Sequence, residues 1–397
     1  MEYLKRRNFL KLSGLSVLPA VIGGGKALAA GVDSGAVKTP ELEVVTFTDD
    51  GVFYEPAAYL NKLQEIGRTP GAIGQDFYGH GGAVEQLEKR FASITGKEAA
   101  VCMPTGTLAN QLAISVLSGE NTKVFVQETS HIFRDEADAA QSIFGKRLIP
   151  LARGEAFFTL EDLQAAIEYN NREEVFKSGI GAIAIENPVR RNDGKVVPLR
   201  EIKRISAFCK SNGYKLHLDG ARLYLAAAFS GVSIQEYSSY FDTVYISLYK
   251  YLGAHGGAVL CGDKAVIGKM EHLIKVHGGT VFSNWSNAAM ALHHLEGIDE
   301  RLKQSAARAK DLFLQLNALP GLEIKALNGG SNIYDFKLRE SIDAKQFSDA
   351  LASKYKIMVS PRKVDGVIKL RVNETLLRRD VAGIVKAFAE TLKQFPL

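Results

Sequence analysis

An aspartate and a lysine each follow an apolar run of this chain, about thirty residues apart. Asp219 ends the run at residues 214–218, and Lys250 comes just after the run that starts at residue 243. Both runs are typical of buried parallel strands, so the two side chains are expected at one sheet edge, where open α/β sheets bind ligands. There the lysine amine can form a Schiff base, and the carboxylate can keep a pyridine nitrogen protonated. Pyridoxal 5'-phosphate needs this pair in order to act as an electron sink.

A threonine–glycine–threonine triplet opens a helix predicted at residues 106–117, directly after a strand predicted at residues 99–103. Free backbone N–H groups and the helix dipole make such a position favourable for a phosphate. Gly106 would permit close approach, and the hydroxyl groups of Thr105 and Thr107 could donate hydrogen bonds. The alternative is a simple N-cap of the helix. The order along the chain, ahead of the aspartate and the lysine, favours the phosphate site.

Two further side chains stand where they could serve the same site. His131 follows the next predicted strand and could stack on the cofactor ring, although an isolated histidine is otherwise a surface or core residue. Arg371 lies in an alternating strand pattern and could bind a carboxylate through two parallel hydrogen bonds, the alternative being a solvated strand face. For Asp219 the alternatives to a cofactor role are an N-cap of the following helix or an ion pair with Arg222. For Lys250 the alternative is a solvated amine.

Apolar runs alternate with amphipathic runs along most of the chain, which predicts an α/β fold with a mostly parallel sheet. The length of 397 residues favours two domains, and the pattern changes near residue 285. We therefore expect a large domain at residues 46–285 and a small C-terminal α+β domain at residues 286–397, with a linking helix at residues 287–316. Further strands are predicted at residues 123–126, 181–185, 214–218, 243–247 and 257–260, and further helices at residues 135–143 and 199–211.

The first thirty residues have the pattern of an export signal. Arg6 and Arg7 form a twin arginine ahead of a modestly apolar run at residues 12–25, and residues 27–29 (Ala-Leu-Ala) fit a cleavage site. The alternative is a basic terminus that happens to contain two arginines. Residues 1–30 are therefore predicted to be a twin-arginine signal peptide. The protein would be periplasmic or exported, or cytoplasmic if the leader does not function, with no stable membrane span after cleavage.

Charge and cysteine content argue against several function classes. The formal net charge is +5, of which residues 1–30 contribute +4, so the rest of the chain lacks the basic excess of a nucleic-acid-binding domain. Cys102, Cys209 and Cys261 are odd in number and far apart, without metal-ligand spacing or a disulfide framework. We expect neither a metal site nor a nucleic-acid partner.

Taken together, these residues resemble the threonine aldolase and aromatic amino acid β-eliminating lyase family, which are pyridoxal-phosphate enzymes of fold type I, the aspartate-aminotransferase-like fold. The resemblance covers roughly residues 46–375. It is carried by the following stretches: Tyr78-Gly79, residues 104–111 (Pro-Thr-Gly-Thr-Leu-Ala-Asn-Gln), Ser130-His131-Ile132, Glu186-Asn187, residues 218–222 (Leu-Asp-Gly-Ala-Arg), and Lys250 with Leu252-Gly253-Ala254.

The resemblance implies roles toward pyridoxal 5'-phosphate for five residues. Lys250 matches the lysine that carries the cofactor, and Asp219 matches the partner of the pyridinium nitrogen. His131 matches the histidine that stacks on the ring. Gly106 and Thr107 match the phosphate donors.

The resemblance also implies a substrate-binding set, with some departures around it. Arg222 and Arg371 match arginines associated with the substrate carboxylate and nearby cofactor oxygens, and Thr48 stands where the family has a serine near the substrate. The family's serine before the lysine and glycine after it are here Tyr249 and Tyr251, which would reshape the pocket.

Two family motifs are replaced. The Thr-His-Asn that follows Glu-Asn in the threonine aldolases is here Pro188-Val189-Arg190. The family's Gly-Gly-Gly-Met-Arg-Gln, whose arginine reaches the phosphate of the neighbouring subunit, is matched by residues 277–283 (His-Gly-Gly-Thr-Val-Phe-Ser), which contain no arginine.

The implied reaction is cleavage of the Cα–Cβ bond of a β-hydroxy-α-amino acid to glycine and an aldehyde. His131, or a water that it holds, would take the β-hydroxyl proton. β-Elimination from an aromatic or sulfur amino acid uses the same electron sink and is the alternative. A third interpretation is a non-catalytic exported scaffold on the same fold. The resemblance further implies a small amino acid substrate as partner, and a homodimer or homotetramer.

Overall fold

The structure, a computed structural model, describes residues 43–395. The predicted twin-arginine segment at residues 1–30 lies outside the described residues. In chain order the strands are Val45–Thr46 (β1), Ala99–Met103 (β2), Lys123–Gln127 (β3), Arg147–Leu151 (β4), Ile180–Glu186 (β5), Lys215–Asp219 (β6), Thr243–Ser247 (β7), Ala258–Gly262 (β8), Leu322–Ala326 (β9), Ile333–Leu338 (β10), Ile357–Met358 (β11), Lys363–Val364 (β12) and Val367–Arg371 (β13).

The α-helices alternate with these strands in the first two thirds of the described chain. They are Pro56–Ile66 (α1), Gly82–Thr95 (α2), Gly106–Ser118 (α3), His131–Arg134 (α4), Ala139–Phe144 (α5), Leu160–Glu173 (α6), Leu199–Asn212 (α7), Leu223–Ser230 (α8), Ile234–Ser239 (α9), Lys264–Ile267 (α10), Met270–Val276 (α11), Trp285–Leu295 (α12), Ile298–Leu316 (α13), Ala344–Tyr355 (α14) and Val381–Leu392 (α15).

The central sheet has seven strands in the order β2-β8-β7-β6-β5-β3-β4. The four pairs from β7 to β4 are parallel, so the predicted α/β fold with a mostly parallel sheet is confirmed. The strand expected near residues 257–260 belongs to this sheet, but it runs antiparallel to β7 and β2. Only ten residues join β7 to β8, and a parallel crossover needs a dozen or more.

Burial explains why the central strands could be identified from continuous apolar runs. Strands β3, β7 and β8 are buried at every residue, as expected for a sheet covered on both faces. On one face, Leu108 and Leu112 of α3 lie in the same apolar cluster as Tyr245 of β7 and Leu260 of β8. This packing sets the first turn of α3 close to the end of β7.

A second, antiparallel sheet of four strands has the order β12-β13-β10-β9. Its core contains a cluster of phenylalanines, in which Phe336, Phe347 and Phe388 lie with ring centroids 5.8–6.4 Å apart. Strand β1 contributes Val45 to this core and pairs in parallel with β11.

The domain boundary expected near residue 285 stays a prediction. No helix among residues 43–395 has both the length and the hydropathy required to cross a bilayer.

Two helix predictions were wrong. The helix expected at residues 287–316 is divided into α12 and α13, because Gly297 adopts a left-handed conformation with φ of 67°. The helix expected at residues 135–143 is replaced by two short ones, α4 and α5. Ala137 and Asp138 lie between them with φ of 50° and 55°, which a continuous right-handed helix does not allow.

Candidate active site

The carboxyl ends of β6 and β7 meet beside a cavity of about 710 Å³. This cavity brings together five of the residues singled out in the sequence: Thr48, His131, Arg222, Lys250 and Arg371. The remaining residues that line it are Asp49, Asp50, Gly51, Val52, Phe53, Arg190, Tyr249, Ala254 and His255.

Lys250 is held on the short loop between β7 and β8. Its Nζ atom lies 4.2 Å from the centroid of the Tyr249 ring. The loop packs directly on Gly51, where a Cβ atom would lie 2.5 Å from the Cα of Tyr251. The backbone around residue 51 is therefore in close contact with the loop that carries Lys250. Of the two tyrosines expected to reshape the pocket, Tyr249 lines it, whereas Tyr251 is buried and packs against Tyr224 with a centroid distance of 5.4 Å.

Asp219 is the last residue of β6 and is only 1% exposed. Its Oδ2 accepts a hydrogen bond from Asn110 Nδ2 at 3.0 Å, and its Oδ1 accepts one from the backbone N–H of Ala221 at 3.1 Å. The same Asn110 nitrogen donates to Glu136 Oε1 at 2.8 Å. Each oxygen of Asp219 therefore accepts a hydrogen bond, which fixes the orientation of the carboxyl group at the end of β6.

A buried histidine fixes the orientation of the Asn110 amide. His217 Nε2 lies 3.0 Å from Asn110 Oδ1, and His217 Nδ1 lies 2.8 Å from the hydroxyl of Thr243. Burial lowers the pKa of His217 to about 3, so the ring is neutral. If Nε2 carries its one proton, that proton is donated to Asn110 Oδ1, and the NH₂ group of Asn110 must face the carboxylates of Asp219 and Glu136.

His131 begins the short helix α4 and lies between two carboxylates. Its Nδ1 is 2.9 Å from Glu136 Oε1, and its backbone N–H donates to Glu186 Oε2 at 2.7 Å. The hydrogen bond that Glu136 accepts from His131 raises the pKa of His131 and outweighs burial, which acts in the opposite direction. With Nδ1 bonded to Glu136, Nε2 is the ring nitrogen that remains to exchange a proton with a ligand.

Ligand atoms of His131, Glu136 and Asp219 lie within 4.8 Å of one another, close enough to hold a metal ion. Their hydrogen bonds to one another and to Asn110 account for this approach.

Glu186 is a second buried acid beside Asp219, at the end of the neighbouring strand β5. Its two oxygens accept from the backbone N–H groups of His131 at 2.7 Å and Arg190 at 2.9 Å. Burial, followed by the charge of Asp219, raises the pKa of Glu186. Glu186 therefore joins the backbones of His131 and Arg190 beneath the cavity.

Asp50 places the two arginines predicted to bind a substrate carboxylate. Arg222 Nε donates to Asp50 Oδ2 at 2.7 Å, and Arg371 Nε lies 3.9 Å from Asp50 Oδ1. Burial opposes ionisation of Asp50, but the charge and hydrogen bond of Arg222 outweigh it and lower the pKa of Asp50. Arg371 also donates to the backbone oxygen of Thr48 at 3.1 Å, while the Thr48 hydroxyl donates to Asp49 at 2.6 Å.

Two alternatives weighed for Asp219 are not what the structure shows. Helix α8 begins at Leu223 with Arg222 as its N-cap, so Asp219 does not cap it. The partner of Arg222 is Asp50. Arg371 faces the cavity, where it contacts Asp50, instead of a solvated strand face.

The predicted phosphate triplet opens α3 but lies outside the lining of this cavity. Thr105 is the N-cap, as one interpretation of the sequence proposed, and its hydroxyl accepts from the backbone N–H of Leu108 at 3.2 Å. Glycine is needed at position 106 because a Cβ atom there would lie 2.0 Å from the hydroxyl oxygen of Tyr245. The backbone N–H groups of Gly106 and Thr107 belong to the first turn, where a helix has no partner of its own for them.

The surroundings of this turn fit a phosphate. Ser247 follows Tyr245 by two residues on β7, so both side chains project from the same face of the sheet, toward α3. The Ser247 hydroxyl is fully buried and makes no well-aligned hydrogen bond among the described residues, although it lies within reach of the Tyr245 hydroxyl. These buried hydroxyl groups and the free N–H groups of the first turn of a 13-residue helix are donors that a phosphate group could use.

Sequence reasoning missed Asn110, Glu136, Asp50 and Ser247. Asn110 and Glu136 stand within or beside stretches that had been singled out, Asn110 four residues after Gly106 and Glu136 five residues after His131. The spacing of four was a usable signal, since it places Asn110 one helical turn into α3. Asp50 gave no local signal, because its partners follow it by 172 and 321 residues.

Comparison with known proteins gives one family match and several similar relatives. The family model described as β-eliminating lyase matches residues 71–337. A low-specificity L-threonine aldolase of Candida albicans is 32% identical over 252 residues, which are 63% of this chain and 67% of that enzyme. A low-specificity L-threonine aldolase of Saccharomyces cerevisiae is 34% identical over 223 residues, which are 56% of this chain and 57% of that enzyme. The chain thus spans little more than half the length of the Saccharomyces relative.

Solved structures show the same fold. A candidate aromatic amino acid β-eliminating lyase/threonine aldolase from Exiguobacterium sp. 255-15 superposes with a TM-score of 0.74 at 24% identity, covering 89% of this chain and 98% of that chain. A serine palmitoyltransferase variant from S. paucimobilis, solved with bound pyridoxal phosphate and myriocin, superposes with a TM-score of 0.61 at 17% identity, covering 88% and 87%.

The contact between His131 and Glu136 gives a testable prediction. In Glu136→Gln the pKa of His131 should fall, because the carboxyl group that favours the imidazolium is replaced by a neutral amide. The pKa can be followed by NMR titration of histidine-labelled protein. Glu128→Gln is the control, since Glu128 pairs with Arg134 and does not contact His131. An unchanged or higher pKa of His131 in Glu136→Gln would contradict the assigned contact.

Proposed function

The chain belongs to the β-eliminating lyase family, and from that premise we propose that it is a pyridoxal-phosphate-dependent lyase of the aldehyde-lyase type. The proposed reaction cleaves the Cα–Cβ bond of a β-hydroxy-α-amino acid, such as threonine, to glycine and an aldehyde. One observation carries the proposal: Lys250, His131 and the arginine pair Arg222 and Arg371 line a single cavity, with Asp219 within 4.8 Å of His131 behind it.

Five residues would hold the cofactor. The amine of Lys250 would bond to its aldehyde carbon, and the Asp219 carboxylate would accept a hydrogen bond from its protonated ring nitrogen. The first-turn N–H groups of Gly106 and Thr107, with the Ser247 hydroxyl, would bind its phosphate. When bound, the cofactor supplies an electron sink for the pair released by the broken bond.

The substrate would be bound by its carboxylate and oriented toward a base. Arg222 and Arg371 offer charge-assisted hydrogen bonds to that carboxylate, and Asp50 keeps both guanidinium groups in place. His131 would take the β-hydroxyl proton at Nε2, because Nδ1 is engaged by Glu136. Since Glu136 raises the pKa of His131, the neutral ring needed for this step becomes more abundant as the pH rises through that pKa.

The homologous enzymes support the aldolase reaction, since two of them are named low-specificity L-threonine aldolases. The β-elimination alternative would use the same cavity. It differs in its products, which are ammonia and a keto acid in place of glycine and an aldehyde. The scaffold alternative requires neither Lys250 nor Asp219.

We also propose a homodimer or homotetramer. Support comes from an exposed aromatic patch formed by Phe77, Tyr78 and Phe282, each more than half exposed. Their rings pack edge to face, with centroids 5.3–5.7 Å apart. Exposed apolar clusters of this kind are typical of surfaces that bind another protein.

The aldolase proposal is tested on the full chain loaded with pyridoxal phosphate. We expect a visible absorbance band and release of glycine in equal amount to aldehyde from threonine or phenylserine. Both should be lost in Lys250→Ala, because Lys250 carries the one amine among the described residues that line the cavity. The control is Lys177→Ala, which removes an exposed lysine. Ammonia and a keto acid as products would favour β-elimination, and binding without turnover across a panel of amino acids would favour the scaffold.

Export by the twin-arginine route is proposed from residues 1–30 alone. Replacing both arginines, Arg6→Lys with Arg7→Lys, keeps the charge of the leader and removes only the twin-arginine motif. We expect the full chain to be found outside the bacterial cytoplasm and the double variant to be retained inside, as measured by cell fractionation. Lys5→Arg is the control. Equal distribution of the native chain and the double variant would contradict the proposed route.

A further inference from the structure

Arginine lines the cavity near His131 as well as at the end that holds Arg222 and Arg371. Arg190 lines the cavity, and its side chain is 49% exposed. Its Nη1 donates to Asp135 Oδ2 at 3.1 Å, which is the one hydrogen bond of this side chain among the described residues. A guanidinium group has five N–H donors, so most of the donors of Arg190 remain to bind a ligand.

Asp135 does not neutralise Arg190, because it is shared with a second arginine. Arg191 Nε donates to the same Oδ2 at 3.0 Å, and Arg191 Nη2 donates to Oδ1. One carboxylate therefore faces two guanidinium groups. The ratio is the same at the other end of the cavity, where Asp50 lies between Arg222 and Arg371.

Arg190 lies near the part of the cavity where the β-carbon of the substrate would react. The two oxygens of Glu186 bind the backbone N–H groups of His131 and Arg190, one each. Under the proposed function, on which this step rests, His131 faces the β-hydroxyl group. The α-carboxylate is then bound by Arg222 and Arg371, at the end of the cavity that contains Asp50. A substituent on Cβ extends along the His131 side of the cavity, where Arg190 lies.

We propose that Arg190 binds an anionic group on the β-substituent, so that the substrate is a β-hydroxy-α-amino acid with a side-chain carboxylate, such as 3-hydroxyaspartate. The fork of a guanidinium group matches a carboxylate in geometry and charge. In the cleavage, the Cα–Cβ bond breaks and the β-hydroxyl group becomes an aldehyde. The hydroxyl proton leaves through His131, Cα gains a proton, and the products are glycine and glyoxylate. No oxidant or reductant is consumed.

Aromatic residues that line the cavity could instead favour a substrate with an aromatic β-substituent. Phe53 is 68% exposed and stacks on His255 with a centroid distance of 5.9 Å, and Tyr249 lies close to Lys250. These rings could contact an aromatic β-substituent such as that of phenylserine. The charge of Arg190 favours the carboxylate, because a guanidinium that shares its carboxylate partner with a second arginine gains more from an anion than from an apolar ring.

Binding tests the anion site without any turnover. L-Aspartate and L-asparagine are nearly isosteric and differ in charge, and neither has a β-hydroxyl group. On the full chain loaded with pyridoxal phosphate, calorimetry should show L-aspartate binding at least about tenfold more tightly than L-asparagine. Arg190→Gln should bring the two dissociation constants to within about threefold of each other. Arg134→Gln is the charge-matched control, since Arg134 lies on α4 outside the cavity lining, and it should keep the tenfold preference. Equal binding by the native chain, or a preference retained in Arg190→Gln, would overturn the proposal.

Turnover separates this proposal from the proposed function. We expect kcat/KM to be higher for 3-hydroxyaspartate than for threonine or phenylserine, and the ratio to threonine to fall about tenfold or more in Arg190→Gln. If threonine is cleaved but aspartate and asparagine bind equally, the anion site is wrong and the lyase function stands. If aspartate is preferred in binding but no β-hydroxy amino acid releases glycine, the anion site stands and the cleavage is wrong. A preference for phenylserine over 3-hydroxyaspartate would overturn the assigned substrate class.

Discussion

The amide of Asn110 holds together the part of the protein on which the proposed chemistry depends. Its nitrogen donates to both Asp219 and Glu136, and its oxygen is bonded by the neutral ring of His217. Through this one side chain, the acid at the end of β6 and the acid that orients His131 share a donor in a buried region. An amide turned the other way would set its oxygen against two carboxylates, which is costly in a buried site.

Around this buried layer, carboxylates fix the cationic groups that face the cavity. Asp50 holds Arg222 and Arg371 at one end, and Asp135 holds Arg190 at the other. Lys250 is placed by a different means, the close packing of its loop on Gly51. Carboxyl groups of Asp219, Glu136 and Glu186 thus lie beneath the cavity, and the arginine and lysine side chains line it. Under the proposed function, that arrangement suits a substrate with a negative charge above an acid that faces the cofactor ring nitrogen.

The parts of this arrangement that the sequence predicts are those with a local pattern. Asp219 and Lys250 could be placed because fully buried strands form apolar runs, and the ends of neighbouring parallel strands meet at one edge. The direction of β8 and the break at Gly297 were missed, since a short connection and a left-handed glycine leave the hydrophobic pattern unchanged. Asn110 and Asp50 were missed for another reason: each bonds to a partner more than a hundred residues away, which the local pattern around it does not reveal.

The central claim is that Asp219, held by Asn110, keeps a cofactor ring nitrogen protonated. The most direct measurement is the ¹⁵N NMR shift of ring-labelled pyridoxal phosphate bound to the full chain, compared with Asp219→Asn. The account predicts a protonated nitrogen in the native chain and an unprotonated one in the variant at equal cofactor occupancy. A nitrogen that is unprotonated in the native chain, or the same shift in both proteins, would contradict it.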